Sequence, residues 1–180
     1  MTHPGSAPIP YDHLPSVPEM TLTSDDVEEG TQLPNEHVAD IMGATGDNLS
    51  PHLRWSGAPP ETKSYAVTCF DPDAPTGSGF WHWVLFDIPA GVTELPRGAA
   101  SGDMQGLPAG AKHARNDTGA SGYVGAAPPP GHGEHRYVFA VHALGVPTLG
   151  LDADATPAYV GFNVTGNTLA RGVIVATFAR

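Results

Sequence analysis

Glycine and proline punctuate this chain from end to end: 22 glycines and 19 prolines are spread over 180 residues instead of being gathered in a tail. Proline fixes φ and removes a backbone donor, and glycine adds a freedom that a helix interior penalises. Long helices are therefore scarce, and short strands joined by elaborate loops are expected. The runs between these punctuation marks agree, being rich in β-branched and aromatic residues. The strongest are 64–70 (SYAVTCF), 80–88 (FWHWVLFDI), 136–144 (RYVFAVHAL) and 172–178 (GVIVATF), with weaker candidates at 20–23 and 53–55. They are apolar at nearly every position, as in strands covered on both faces or in the inner layer of a sandwich, so the fold class is all-β dominated.

One helix is expected near the C-terminus, over about 156–169, with Thr156 as N-cap and Pro157 at the first helical position. Tyr159, Phe162, Gly166 and Leu169 recur at helical spacing and predict its packed stripe. Residues 98–133, dense in glycine, alanine and proline, are the longest stretch without regular structure, and a long ordered loop is often functional. Residues 1–19 carry Pro4, Pro8, Pro10, Pro15 and Pro18 and read as an extended arm whose Ile9, Tyr11, Leu14 and Val17 pack on a single domain formed by residues 20–180.

A chain of this length buries roughly 70% of its unfolded surface and needs no disulfide or metal staple. Its one cysteine, Cys69, excludes an intramolecular disulfide, suits a reducing compartment and reads as a buried, inert thiol. No segment has the charge and hydropathy of a leader, and none is an apolar run long enough for a membrane helix, so a cytoplasmic location is expected. Eight basic residues against nineteen acidic ones give a net charge of −11. That balance excludes extended nucleic acid contact and electrostatic docking on anionic membranes. A single small anion in a neutral pocket remains compatible, because distant charge is screened beyond about 8 Å at physiological salt.

Two stretches carry candidate chemistry. In FDPDAPTGSGFWHWVLFDIP, Asp71 closes a strand, and Pro72, Asp73, Ala74 and Pro75 form a stiff turn that presents carboxylates reproducibly. The bond between Ala74 and Pro75 is a candidate cis peptide. By strand alternation His82 shares a face with Phe80 and Val84, while Trp81 and Trp83 share the other. The stretch GAAPPPGHGEHRYVFAVHA repeats the design, a rigid loop delivering His135 to the mouth of a strand with Tyr137 on the same face. If the two strands are neighbours, His82, His135 and Tyr137 converge, and Asp71 accepts from one imidazole and sets its tautomer. Such a cavity of donors walled by aromatic and proline carbons suits phosphate, sulfate or carboxylate. Asp73 is open between turn cap and pocket member. His132, His135 and His142 have no recognised metal-ligand spacing, and no nucleophile elbow or phosphate-binding glycine loop occurs, so neither a metal nor a cofactor is expected.

The order of these motifs carries more. SPHLRWSGAP (50–59), DPDAP (71–75), FWHWVLFDIP (80–89), ND-x-G (116–119) and Y-x-G-x-x-P-P-x-G-x-G-x-H-R-Y-V-F (123–139) together resemble the phosphatidylethanolamine-binding protein family, in its bacterial Raf kinase inhibitor-like branch. The resemblance runs from about residue 11 to 178. It implies two antiparallel β-sheets with one or two short helices, and an anion pocket formed by Asp71, His82, His135 and Tyr137, with Gly125, Pro128 and Pro129 shaping the rim. Ala126 and Ala127 stand where bacterial members often carry Pro-Cys. Members bind phosphorylated head groups and small anions, and bacterial ones often form homodimers. The expectation is a non-enzymatic binder of a phosphate-bearing ligand or other oxyanion; a kinase- or serine-protease-inhibitory protein and a hydrolase using His82 or His135 as general base are the alternatives.

Overall fold

The computed structural model describes residues 7–180. The chain forms β1 (Thr21–Thr23), β2 (Leu53–Ser56), β3 (Ser64–Asp71), β4 (Phe80–Pro89), β5 (Glu94–Leu95), β6 (Lys112–His113), β7 (His135–Leu144), α1 (Pro157–Asn167) and β8 (Thr168–Phe178). These make two antiparallel sheets, a three-stranded one ordered β1-β2-β5 and a five-stranded one ordered β6-β4-β3-β7-β8. Every residue of β3 is buried, the result expected of a central strand whose sequence is apolar on both faces. One face meets the small sheet: Leu22, Leu53, Trp55 and Leu95 pack with Val67, Cys69, Trp83, Leu85, Phe139 and Ile174. The other face meets α1, where Val160 and Val164 pack on Ala66, Val84, Phe86 and Leu144.

The helix begins as its sequence predicts, with the Thr156 hydroxyl accepting from the Tyr159 amide at 3.3 Å and Pro157 in the first turn. The expected stripe is on the wrong side, however. Tyr159 is 55% and Phe162 75% exposed, and the buried stripe is Pro157, Val160 and Val164. The narrow seat over Phe86 and Leu144 takes two valines at i, i+4 and leaves the larger aromatics outside. Leu169 belongs to β8, which begins at Thr168 and is longer than its apolar run.

Two further expectations change. Residues 1–6 of the anticipated arm lie outside the described residues, and Pro10–Asp12 form a 3₁₀ turn instead of continuing extended chain, with the Asp12 carboxylate accepting from the Ile9 amide at 3.2 Å. The arm's Tyr11 ring lies over the Arg171 guanidinium, 4.3 Å from its carbon to the ring centroid. Within 98–133 the two-residue strand β6 pairs with β4 at Leu85 and Phe86, an element too short to leave a pattern in sequence.

Strand alternation also fails twice along β4, between Leu85 and Ile88, which pair with Val67 and Tyr65, and at His82. Cys69 pairs with Trp83 and Phe70 with Trp81, so two successive residues of β3 face three of β4 and His82 is the extra residue of a bulge. Beyond the bulge the faces exchange. Trp83 enters the core between the sheets, whereas Trp81 and Val84 face the helix side, so the two tryptophans do not share a face and His82 does not share one with Val84.

Candidate functional site

The strands bearing His82 and His135 are not neighbours, since β3 runs between them. Antiparallel pairing nevertheless places the end of β3 beside the beginnings of β4 and β7, so Asp71, the first turns of β4 and the start of β7 meet at one end of the large sheet. Asp71 is the hub. Its Oδ1 accepts from the Asp73 amide at 2.8 Å, an Asx-type turn that sets the proline-flanked loop, and its Oδ2 accepts from His135 Nδ1–H at 2.7 Å. The carboxylate thereby fixes the proton of His135 on Nδ1.

His82 is held from the opposite side, where its Nδ1–H donates to the Val124 carbonyl at 2.9 Å. Its ring stands edge-on to Tyr137, with centroids 5.1 Å apart, and against Phe80 at 4.9 Å. Burial lowers the His82 pKa, opposed by the Asp71 charge and by the Val124 and Gly125 backbone. Tyr137 is 1% exposed, and among the described residues its hydroxyl finds no hydrogen-bond partner. Burial, with the Asp71 charge second, pushes the phenol far above its ordinary range, so it stays an O–H donor. A donor both buried and unpaired is costly in a folded protein.

All seven residues assigned from sequence, Asp71, His82, Gly125, Pro128, Pro129, His135 and Tyr137, line one cavity of about 180 Å³. Gly125 is obligatory there, because a Cβ would come within 2.4 Å of the Ala39 nitrogen and the Val38 carbonyl carbon. Its amide donates to Asn48 Oδ1 at 2.8 Å. Ala127 contributes to the lining, while Ala126 is fully buried with its carbonyl accepting from the Ala39 amide at 3.0 Å.

Comparison with known proteins places the chain in a family. Residues 23–179 match the family model described as phosphatidylethanolamine-binding protein. The chain is 50% identical to YbhB of Escherichia coli K12 over 160 residues, covering 89% of this chain and all of YbhB. The crystal structure of E. coli YbcL superposes with a TM-score of 0.88 at 44% identity, covering 90% of this chain and 99% of that one. A phosphatidylethanolamine-binding protein homologue of Chlamydia trachomatis follows at a TM-score of 0.75 and 26% identity, with 90% and 98% covered.

The chain belongs to the phosphatidylethanolamine-binding protein family.

Within this family member the structure also corrects and extends the sequence reading. Asp73 does not line the cavity: its carboxylate, wholly shielded, takes Arg136 Nε at 2.8 Å, Nη2 at 2.9 Å and the Arg136 amide at 3.0 Å, clamping the loop to β7. The bond between Ala74 and Pro75 is trans, the turn being closed by the Asx bond without an isomerised peptide. Ile41, Met42, Phe80, Thr118 and Val124 line the cavity as well. Arg180 braces the rim, with Nε donating to the Pro128 carbonyl at 2.7 Å and both Nη groups to the Met42 carbonyl at 3.1 and 3.2 Å. Thr118 and Val124 fall within the ND-x-G and Y-x-G motifs and Phe80 lies on the His82 face, whereas Ile41, Met42 and Arg180 carry no local signal and come from segments remote in sequence. Among the described residues no cluster of three or more His, Cys, Asp or Glu is placed to hold a metal ion, and no helix is long and apolar enough to cross a membrane.

Proposed function

We propose that this chain binds, without turnover, a phosphate-bearing small ligand or another oxyanion in the cavity at the end of the large sheet where β3, β4 and β7 meet. The observation that carries the reading is the Tyr137 hydroxyl, buried without a partner among the described residues in a cavity shared with two imidazoles and a carboxylate. An oxyanion oxygen would accept a hydrogen bond from it, and further oxygens would meet His82 and His135, the latter ring oriented by Asp71. The proline and alanine walls exclude water and strengthen each of these contacts.

The same lining favours binding over chemistry. It offers neither serine nor cysteine as a nucleophile, and the nearby Cys69 is buried, its thiol held well above the usual range by desolvation. At a net charge of −11 the surface does not compete with the pocket for anions. Isothermal titration with phosphate and phosphoethanolamine tests the reading. Saturable binding is expected in the wild type, weakened about tenfold or more in Tyr137→Phe, the scale of one charge-assisted hydrogen bond. Equal affinity of the two proteins would place the ligand elsewhere.

A further inference from the structure

One imidazole next to the cavity lies outside the group of Asp71, His82, His135 and Tyr137. His132 stands in the sequence Gly131-His132-Gly133, and its Nδ1 lies 2.8 Å from Nε2 of His135, with ring centroids 5.0 Å apart. Because Asp71 holds the Nδ1–H of His135, Nε2 is the nitrogen that His135 has left for a ligand. In the neutral pair His132 Nδ1–H donates to that lone pair, and His135 then offers the cavity neither a donor nor an acceptor.

His132 itself does not line the 180 Å³ cavity; it lines a larger and more polar one, about 730 Å³, on the other side of the 71–79 loop, beside His13, Asp73 and Ser78. The two flanking glycines have φ of 73° and 108°, a region that other residues rarely enter, and a Cβ on Gly131 would meet nothing within 4 Å. The backbone of this turn is held by the Gly131 and His132 amides, which donate to the Arg180 and Pro129 carbonyls at 2.9 and 3.1 Å, so the imidazole is the part free to turn toward the open volume.

We infer that His132 is a latch on the pocket: it competes with the ligand for Nε2 of His135, and an oxyanion reaches His135 by displacing it. This rests on the cavity being the oxyanion site. On release, His132 swings toward the larger cavity and leaves Nε2 of His135 to share a hydrogen bond with an oxygen of the oxyanion, while the Asp71 carboxylate still holds Nδ1–H. His132 sets affinity and selectivity by imposing a cost that only a strong acceptor, such as a phosphate oxygen, repays.

The sign of a substitution makes the inference testable, since removing an ordinary pocket residue weakens binding and removing a latch strengthens it. Titration calorimetry with inorganic phosphate would compare the wild type, His132→Ala and Tyr137→Phe, with melting curves showing that each is folded. His132→Ala is expected to bind about three- to tenfold more tightly, the range of one hydrogen bond no longer competing, and Tyr137→Phe more weakly. Unchanged or weaker binding in His132→Ala, with Tyr137→Phe impaired, would overturn the latch and leave the pocket standing. Phosphate uptake by neither the wild type nor His132→Ala at millimolar concentration, or uptake indifferent to Tyr137→Phe, would overturn both.

Discussion

His135 and His142 are borne on the same strand, both buried, yet they face opposite sides of the sheet and have opposite electrostatic neighbours. His135 faces a carboxylate, Asp71 at 2.7 Å. His142 faces a guanidinium: its Nδ1 accepts from Arg171 Nε–H at 3.3 Å, while Nε2 lies 3.4 Å from both the Tyr11 and Thr68 hydroxyls. Burial first, and the Arg171 charge second, push the His142 pKa down to about 3, so this ring stays neutral and serves packing. Two histidines indistinguishable by residue type or burial are separated by the sign of the nearest charge. One end of the strand lines the cavity; the other is covered by Tyr11.

The largest expected effect breaks the comparison from the sealed side. His142, and His113 on β6, whose Nε2 accepts from Trp83 Nε1–H at 2.9 Å and whose pKa burial lowers to about 4, are both held neutral. The unfolded chain takes up these protons near 6.5 and the folded chain refuses them down to about 4 and 3. Their contribution is complete above pH 6.5 and is lost as the pH falls, by roughly 3 kcal/mol per histidine at pH 4. Urea unfolding at pH 7 and pH 4 should show this loss, and His142→Gln should halve it.

Next in size is the clamp behind the open end. Arg136→Met leaves the shielded Asp73 carboxylate without its guanidinium and should cost about 3 kcal/mol in urea unfolding, with weakened phosphate binding because the Asx turn presenting Asp71 loosens. A change under about 0.5 kcal/mol would mean that the loop is held by its prolines alone. Smallest of all is Tyr137→Phe, which deletes a hydroxyl that bonds to none of the described residues and should leave stability within about 1 kcal/mol of the wild type in the same assay. A larger loss would show a hidden partner for that hydroxyl and sharpen the contrast with the satisfied polar cluster around His142.

Much of this was legible in the chain itself. The apolar runs named β3, β4, β7 and the C-terminal part of β8, and period-two alternation correctly put Tyr137 on the face of His135. Alternation misassigned the tryptophans because a bulge at His82 is set by pairing with β3, which local periodicity does not encode. The cap marks the helix, but the helical spacing of Tyr159, Phe162, Gly166 and Leu169 does not mark its packed face, because the seat takes Val160 and Val164 instead. Asp73 was undecidable because its partner Arg136 is brought to it by the β3–β7 pairing, and His132 because its contact depends on how a glycine-rich loop closes.

The central claim is that the end of the sheet around Asp71 binds oxyanions and the rest of the buried imidazoles do not. Histidine ring ¹H–¹⁵N spectra recorded through a phosphate titration test it most directly. The account predicts that His82 and His135 shift together and saturate while His113 and His142 stay in place. Stationary signals from His82 and His135 at millimolar phosphate, or equal movement of all four, would contradict it.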